Sequence, residues 1–294
     1  MKKFDAVIVG GGPAGIATAI QLDRYKINSI LFEKNELGGL LRNANLVENY
    51  LGFPLGINGE ELVNLFKKQL QKTSINIINE EVTKVDYSNE SLIVKTKNNQ
   101  ISNSIVIIAT GTKPKLLSID NPNNKINNQI LYEIYPIKNI KNKTITIIGS
   151  GDAAFDYALS LSKNNIVYIL NRSKKTKCLT ILKQKCIENK NITYHDNTIP
   201  LKIKKENNQM EIFLQNNENN DKNKILSDFI IGAIGRKPSL DFISNNVIKY
   251  KDYLINEKKL YIIGDAVNGI YRQASISIGD GIRTAMQIYR NLNR

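Results

Sequence analysis

Two glycine-rich turns, each set between a short apolar run and a helically spaced segment, constrain this chain more than any other feature. The first, Gly10 to Gly15, follows the β-rich run Phe4 to Val9. It opens a helical pattern from Ala14 to Tyr25, and Ser29 to Glu33 reads as the next strand. The second, Gly149 to Ala154, follows the strand Thr144 to Ile148 and opens a helix from Asp152 to Lys163. The strand Ile166 to Leu170 comes next. Two strand–turn–helix–strand units predict an α/β protein with parallel sheets.

The first turn is G-x-G-x-x-G, with Gly10, Gly12 and Gly15 at its defining positions. Glycine there permits a tight turn, close approach of a pyrophosphate and close helix packing, and the helix N-terminus faces the phosphates. Eighteen residues beyond Gly15, Glu33 ends the second strand, where a carboxylate can accept hydrogen bonds from a ribose diol. Strand, turn, helix and acid together indicate a dinucleotide site in a Rossmann-like domain.

The second turn is G-x-G-x-x-A, but its second strand is followed by Asn171 and Arg172 and not by an acid. A carboxylate would repel a 2′-phosphate, whereas Arg172 can pair with one. NADPH is therefore expected over NADH, with Ser173, Lys174 and Lys177 as further candidate contacts. For Lys174, Lys175 and Lys177 a solvated loop is an equally good reading.

Between the two units, Ile75 to Ile78, Glu81 to Tyr87, Ser91 to Thr96 and Ser104 to Ile108 read as strands completing the first sheet. Polar, Pro-containing segments at Gly111 to Asn128 and Gly235 to Ser239 read as crossings, so that the second domain, 115–238, is inserted into a first domain made of 1–114 and 239–294. Lys259 to Gly264 reads as a returning strand, Ser277 to Asn291 as a helix, and the Asn-rich stretch Asn216 to Asn223 as a hairpin turn.

Composition narrows the function classes. Of the 294 residues 41% are hydrophobic and 23% charged, which suits a globular core and excludes a disordered or fibrous chain. The net charge of +14 comes from lysines scattered along the chain, without the dense or aromatic-interleaved block that nucleic-acid binding would require. The apolar start reads as a strand broken by glycines and not as a signal peptide, and no run reaches membrane-spanning length. Two cysteines, Cys178 and Cys186, make no disulfide framework and have no paired zinc-ligand spacing, so a reducing, cytoplasmic setting is expected. His195, in a strand, is read as structural. No metal site, catalytic base or nucleophile stands out.

With these motifs the chain resembles the low-molecular-weight thioredoxin reductases and related two-dinucleotide FAD and NAD(P) oxidoreductases. The resemblance is carried by GGGPAG at Gly10 to Gly15, ELGG at Glu36 to Gly39, VENYLGFPLGINGEEL at Val47 to Leu62, ATG at Ala109 to Gly111, GRKP at Gly235 to Pro238 and GDA at Gly264 to Ala266. It implies FAD on the outer domain, with Glu33 on the adenosine ribose, Asp265 on the ribityl chain, and Arg272, Gln273 and Ala274 beside the isoalloxazine. It also implies NAD(P) on the inserted domain and a homodimer whose inserted domain rotates. The cofactor-binding set from motifs and resemblance together is Gly10, Gly12, Pro13, Ala14, Gly15, Glu33, Lys34, Gly39, Leu40, Asn49, Val82, Ala109, Thr110, Gly111, Gly149, Gly151, Asp152, Ala153, Ala154, Arg172, Ser173, Lys177, Gly235, Gly264, Asp265, Arg272, Gln273 and Ala274.

One departure matters most. The Cys-x-x-Cys of thioredoxin reductases, expected shortly before the second glycine turn, is replaced by Tyr132 and Tyr135 on an ungapped count. Tyrosine cannot undergo thiol–disulfide exchange. If Thr180 onward is helical, eight residues separate Cys178 from Cys186 by ~12 Å along the axis, beyond the ~7 Å limit for a disulfide. The expected activity is therefore transfer of electrons from NADPH through flavin to an external acceptor, either a redox protein such as ferredoxin or flavodoxin or a small electron acceptor. GSGDAAFDYAL at Gly149 to Leu159 resembles the second motif of reductases of that kind. The alternatives are a disulfide reductase with a non-standard dithiol and a flavin-binding sensor with little turnover.

Overall fold

The computed structural model describes residues 4–120 and 129–293. The chain divides into two compact units, one made of Met1–Arg42, Glu48–Lys113 and Lys237–Arg294, the other of Asn43–Val47 and Pro114–Arg236. Part of the first expected crossing, 121–128, lies outside the described residues.

The first unit is built on a five-stranded parallel sheet in the order Leu260–Ile262, Val106–Ile108, Ala6–Val9, Ser29–Glu33, Asn76–Asn79. The central strand Ala6–Val9 is buried on both faces, which is why it is apolar without alternation. Its pleat sorts the core. Ala6 and Ile8 join Leu31 and Ile107 under the helices Pro13–Arg24 and Ala274–Leu292, while Val7 and Val9 join Ile30, Phe32 and Val106 on the opposite face.

That opposite face is covered by a layer the sequence reading places differently. Of the segments expected to complete the sheet, only those containing Asn76–Asn79 and Val106–Ile108 do so. Lys84–Ser88, Ser91–Lys95 and Gln100–Asn103 form a separate antiparallel sheet. The cause is local: Asn89 and Glu90 both take left-handed backbone, φ 49° and 60°, the two-residue turn that sends a strand straight back on itself. The resulting hairpin alternates, with Val85, Leu92 and Val94 inward on Val247 and Leu254.

The helices Pro13–Arg24 and Ala274–Leu292 meet backbone to backbone. A Cβ on Gly281 would lie 2.4 Å from the Ala14 carbonyl oxygen, and the Thr18 hydroxyl donates to the Ala14 carbonyl at 2.8 Å and to the Gly281 carbonyl at 3.3 Å.

The second unit repeats the plan, with parallel strands in the order Ile192–His195, Ile166–Leu170, Thr144–Ile148, Phe229–Gly232, Ile130–Leu131. The helices Asp152–Leu161 and Thr180–Ile187 lie in its other core, where Phe155, Ala158 and Cys186 are buried. An antiparallel sheet of Thr198–Glu206, Gln209–Asn216 and Lys222–Ser227 covers the opposite face through Ile203, Met210, Ile212 and Leu214. Its second turn is the expected Asn-rich hairpin, in which the Asn216 N–H donates to the Asp221 carbonyl at 2.9 Å.

The stretch Asn43–Val47 is held by polar groups of this second unit. Asn43, 1% exposed, accepts at Oδ1 from the N–H groups of Ile134 and Tyr135 at 3.1 and 2.9 Å. Asp156 Oδ2 accepts from the Asn45 N–H, and Lys163 Nζ donates to Asn45 Oδ1, both at 2.9 Å. Burial raises the Asp156 carboxyl to about 6, outweighing the backbone N–H groups of Asn45 and Leu46 and the charges of Lys138 and Lys163.

Two outcomes follow from this packing. Gly281→Ala should lower stability by roughly 1–3 kcal/mol, because overpacking outweighs the ~1 kcal/mol that alanine gains in a helix. Gly279→Ala in the same helix, whose Cβ meets nothing within 4 Å, should be neutral or stabilising in the same urea titration; equal destabilisation by both would contradict the close-packing account. For Asp156 the folded pKa lies above the unfolded value. Its protonated form favours the fold, and that contribution is present below pH ~4 and lost as pH rises through ~6. Asp156→Asn should therefore gain roughly 1–3 kcal/mol on the wild type between pH 4.5 and pH 7.5, and an unchanged difference at the two pH values would contradict it.

Candidate functional site

Each parallel sheet has its glycine turn at the carboxyl end of its central strand, between neighbours that leave in opposite directions, which is where a crevice opens in such sheets. In the first unit, Gly10 has φ +105° and its N–H donates to the Phe32 carbonyl at 2.8 Å. A Cβ there would lie 2.5 Å from the Ala109 carbonyl oxygen, and one on Gly15 would lie 1.8 Å from the Gly10 carbonyl oxygen. Gly12 differs: it caps the helix Pro13–Arg24 in extended backbone, and its Cβ direction meets nothing within 4 Å. Two glycines thus make room for protein, and the third faces open space at a helix N-terminus.

Other expected residues gather around this turn. Glu33 accepts from the Gly11 N–H at 2.6 Å through Oε2 and from the Asn35 N–H at 2.9 Å through Oε1, so its carboxylate also braces the loop. Gly39, φ +56°, comes within 3.3 Å of the Gly12 Cα at its Cβ position, Leu40 follows in a short 3-10 helix, and the Gly38 N–H donates to the Gly11 carbonyl at 2.7 Å. Gly264, φ +65°, abuts Ala14, with 3.0 Å between the alanine Cβ and a built Cβ. Asp265 Oδ1 accepts from the Ser277 hydroxyl at 3.0 Å. Asn49 Nδ2 donates to Gln273 Oε1 at 3.0 Å, Gln273 caps the helix beginning at Ala274, and Arg272 Nε is buried without a protein hydrogen-bond partner. Thr110 and Gly111 are tied to Ser239, the threonine hydroxyl donating to the Ser239 carbonyl at 2.7 Å and the Ser239 N–H to the Gly111 carbonyl at 3.0 Å. Val82 is buried in the core beside Val85. Lys34 forms an exposed ion pair with Glu81 at 3.2 Å.

The second unit reproduces the turn. Gly149, φ +139°, would place a Cβ 2.2 Å from the Ala233 carbonyl oxygen, whereas Gly151 caps the helix Asp152–Leu161 with nothing within 4 Å of its Cβ direction. Ala154, in the third position, is fully buried, and Ala153 is exposed. The segment after the second strand folds back onto this turn: the Lys177 N–H donates to the Ser150 carbonyl at 3.0 Å and the Leu179 N–H to Asp152 Oδ1 at 2.8 Å. Arg172, Ser173 and Lys177 are exposed on this loop, and Lys174 pairs with Glu218 at 3.6 Å. Gly235, φ +109°, accepts the Lys115 N–H at its carbonyl.

Tyr132 and Tyr135 take part in the packing of the second unit. The Leu117 N–H donates to the Tyr132 hydroxyl at 2.9 Å, and the Tyr132 ring lies where a side chain on Gly232 would be, 2.5 Å from a built Cβ. Both cysteines are free thiols. Burial raises Cys186 to about 12 and also raises Cys178, which leaves little thiolate at neutral pH. His195 stacks on Tyr168, and burial lowers the pKa of its imidazole. Among the described residues no group of three or more His, Cys, Asp or Glu is arranged to hold a metal ion, and no helix is long and apolar enough to cross a membrane.

Sequence reasoning misses two residues of consequence. Asn43 carries no local signal, because its partners Ile134 and Tyr135 are 91 and 92 residues away. Asn171 is read only as a missing acid, although its buried amide organises the loop that follows it.

Comparison with known proteins agrees with this geometry. The chain is 29% identical to the thioredoxin reductase of Chlamydia pneumoniae over 97% of its own length and 98% of the relative's, and 30% identical to that of Pneumocystis carinii over 97% and 95%. Its fold superimposes on the thioredoxin reductase of Lactococcus lactis in the FR conformation with a TM-score of 0.86, covering 99% of both chains at 23% identity. The model of the pyridine nucleotide-disulphide oxidoreductase family matches residues 4–281. The chain belongs to that family and is, with it, an FAD-dependent oxidoreductase.

Proposed function

We propose that this protein is an NADPH-dependent reductase that holds FAD on its first unit and NADPH on its second and delivers electrons to an external acceptor of the ferredoxin or flavodoxin class. The observation that carries the reading is the pairing of two open glycine cradles with two cysteines, Cys178 and Cys186, that are free thiols raised by burial. Gly12, Glu33, Asp265 and Arg272 would hold FAD on the first unit, where it would supply acceptance of a hydride from NADPH and release of the two electrons singly to successive one-electron carriers.

The chain's own residues bind and orient. Gly12 and Gly151 leave room for a pyrophosphate at a helix N-terminus, where backbone N–H groups and the helix dipole favour negative charge. Glu33 retains acceptor capacity for a ribose diol beyond its two backbone donors. Arg272, with a buried Nε that has no protein partner, and Asp265 at the N-terminal end of the last helix suit the flavin side, and Arg172 suits a 2′-phosphate. The charge of +14 favours encounter with an acidic carrier. Exposed Leu65 on the helix Gly59–Leu70, and Ile282 and Met286 on the helix Ala274–Leu292, support a homodimer, which sedimentation as a monomer would refute.

A second reading has support from the relatives, which are thioredoxin reductases: a disulfide reductase whose substrate brings its own dithiol. An acceptor panel separates the two. After anaerobic bleaching of the flavin by NADPH, reoxidation by ferredoxin or flavodoxin supports the first reading. Reoxidation only by disulfides, undiminished in Cys178→Ser, supports the second, and no bleaching by either nucleotide refutes both in favour of a sensor. Arg172→Ala should lower kcat/KM for NADPH by about 10–100-fold and leave NADH nearly unaffected; equal efficiency of the two nucleotides in the wild type would contradict the NADPH assignment.

The two kinds of glycine give a further test. Gly12→Ala should fold as the wild type does yet bind FAD at least about tenfold more weakly, whereas Gly15→Ala should lose thermal stability even without FAD, because its Cβ meets the Gly10 carbonyl. Full flavin retention by a well-folded Gly12→Ala variant would contradict the cradle.

A further inference from the structure

We propose that Asn171 and Tyr194 are positioning residues that set selectivity for a 2′-phosphate at the second nucleotide site, an inference that rests on the NADPH reading above. Asn171 directly follows the strand Ile166–Leu170 and corresponds to Glu33 of the first unit, because the Gly149 N–H donates to the Leu170 carbonyl as the Gly10 N–H does to that of Phe32, and it is 2% exposed. Its polar groups are engaged with protein. Oδ1 accepts from the Ser173 N–H at 3.3 Å, and Nδ2 donates to the Lys175 carbonyl at 3.1 Å and to the Tyr194 hydroxyl oxygen at 2.9 Å. Its own N–H donates to the His195 carbonyl and its carbonyl accepts from the Thr198 N–H, both at 2.8 Å. Asn171 therefore shapes the loop from inside and leaves the phosphate to its exposed neighbours.

That loop is fastened at several points. The Ser173 hydroxyl donates to the Lys175 carbonyl at 3.0 Å, and Asn217 Nδ2 donates to the Arg172 carbonyl at 3.1 Å. Its far end is tied to the glycine turn by the hydrogen bonds from Lys177 to Ser150 and from Leu179 to Asp152. Tyr194 is held in turn by the Phe155 ring, at 5.7 Å between centroids, and by Lys183 Nζ, 5.4 Å from its ring centre. Burial raises its phenol, so the hydroxyl stays protonated. Arg172 and Lys177 thus stand on a backbone tied by the chain's own hydrogen bonds.

The consequence is energetic. A cationic loop that is already ordered loses less conformational freedom when it closes on a phosphate than a mobile one does. A neutral amide at position 171 can tie the loop without placing a negative charge beside a dianion, which a carboxylate at the same position would do. The preorganisation acts only through the 2′-phosphate, so a nucleotide lacking that group should be indifferent to it.

The test is calorimetric binding to the FAD-loaded protein of two probes, adenosine 2′,5′-bisphosphate and 5′-AMP. In Asn171→Ala the bisphosphate should bind about tenfold more weakly, with 5′-AMP changed by less than about twofold. Tyr194→Phe, which removes one hydroxyl and keeps the ring packing, should shift the same preference by about threefold. A wild type that binds the two probes equally would refute the NADPH reading itself. A wild type that prefers the bisphosphate, with variants that keep the full preference or that both lose the two probes in parallel, would overturn the positioning role alone.

Discussion

The architecture depends on one steric constraint applied twice: a strand must turn into a helix so tightly that the first glycine of the turn lies against the carbonyl of the residue that follows a neighbouring strand. Gly10 meets Ala109 and Gly149 meets Ala233 at separations no side chain could share. Each contact brings the helix start to the carboxyl edge of its sheet, and Gly12 and Gly151 then face open space. In the first unit the same economy of backbone extends to the far side of the helix, where Gly281 lets the last helix lie directly on Ala14 and Thr18. Without these approaches there would be no crevice for a phosphate to enter.

The two units then diverge just past the second strand of each sheet. At the end of the second strand the first unit has Glu33, a charge that braces the loop and can meet a diol. The second has Asn171, which does the bracing with a neutral group and leaves the outward face to Arg172 and Lys177. The inserted unit carries Tyr132 and Tyr135 ahead of its glycine turn. There the Tyr132 hydroxyl accepts from Leu117 and its ring fills the space over Gly232, while the two thiols elsewhere are held protonated by burial.

What was legible in the sequence was whatever local chemistry decides. The strand Thr144–Ile148 and the strand Ile166–Leu170 stand where the pattern puts them, and the helix starts at Pro13 and Asp152 follow from the glycine turns. The antiparallel layer at 84–103 cannot be told from the parallel sheet by pattern, because an alternating strand looks the same in either sheet and the deciding feature, left-handed backbone at Asn89 and Glu90, is carried by one Asn and one Glu with no glycine to mark it. Asn43 and Asn171 were opaque for a different reason. Asparagine is common throughout this chain, and only burial separates these two from their solvated counterparts. The candidate site was legible as a set of motifs, but not which glycines face protein and which face open space.

The proposed function requires that electrons leave the flavin for an outside acceptor without passing through a dithiol of this chain. An anaerobic dithionite titration of the FAD-loaded protein measures this directly, as reducing equivalents taken up per flavin. About two electrons per FAD are expected, the capacity of the flavin alone. Uptake of about four would mean that a protein disulfide is being reduced as well, and would contradict it.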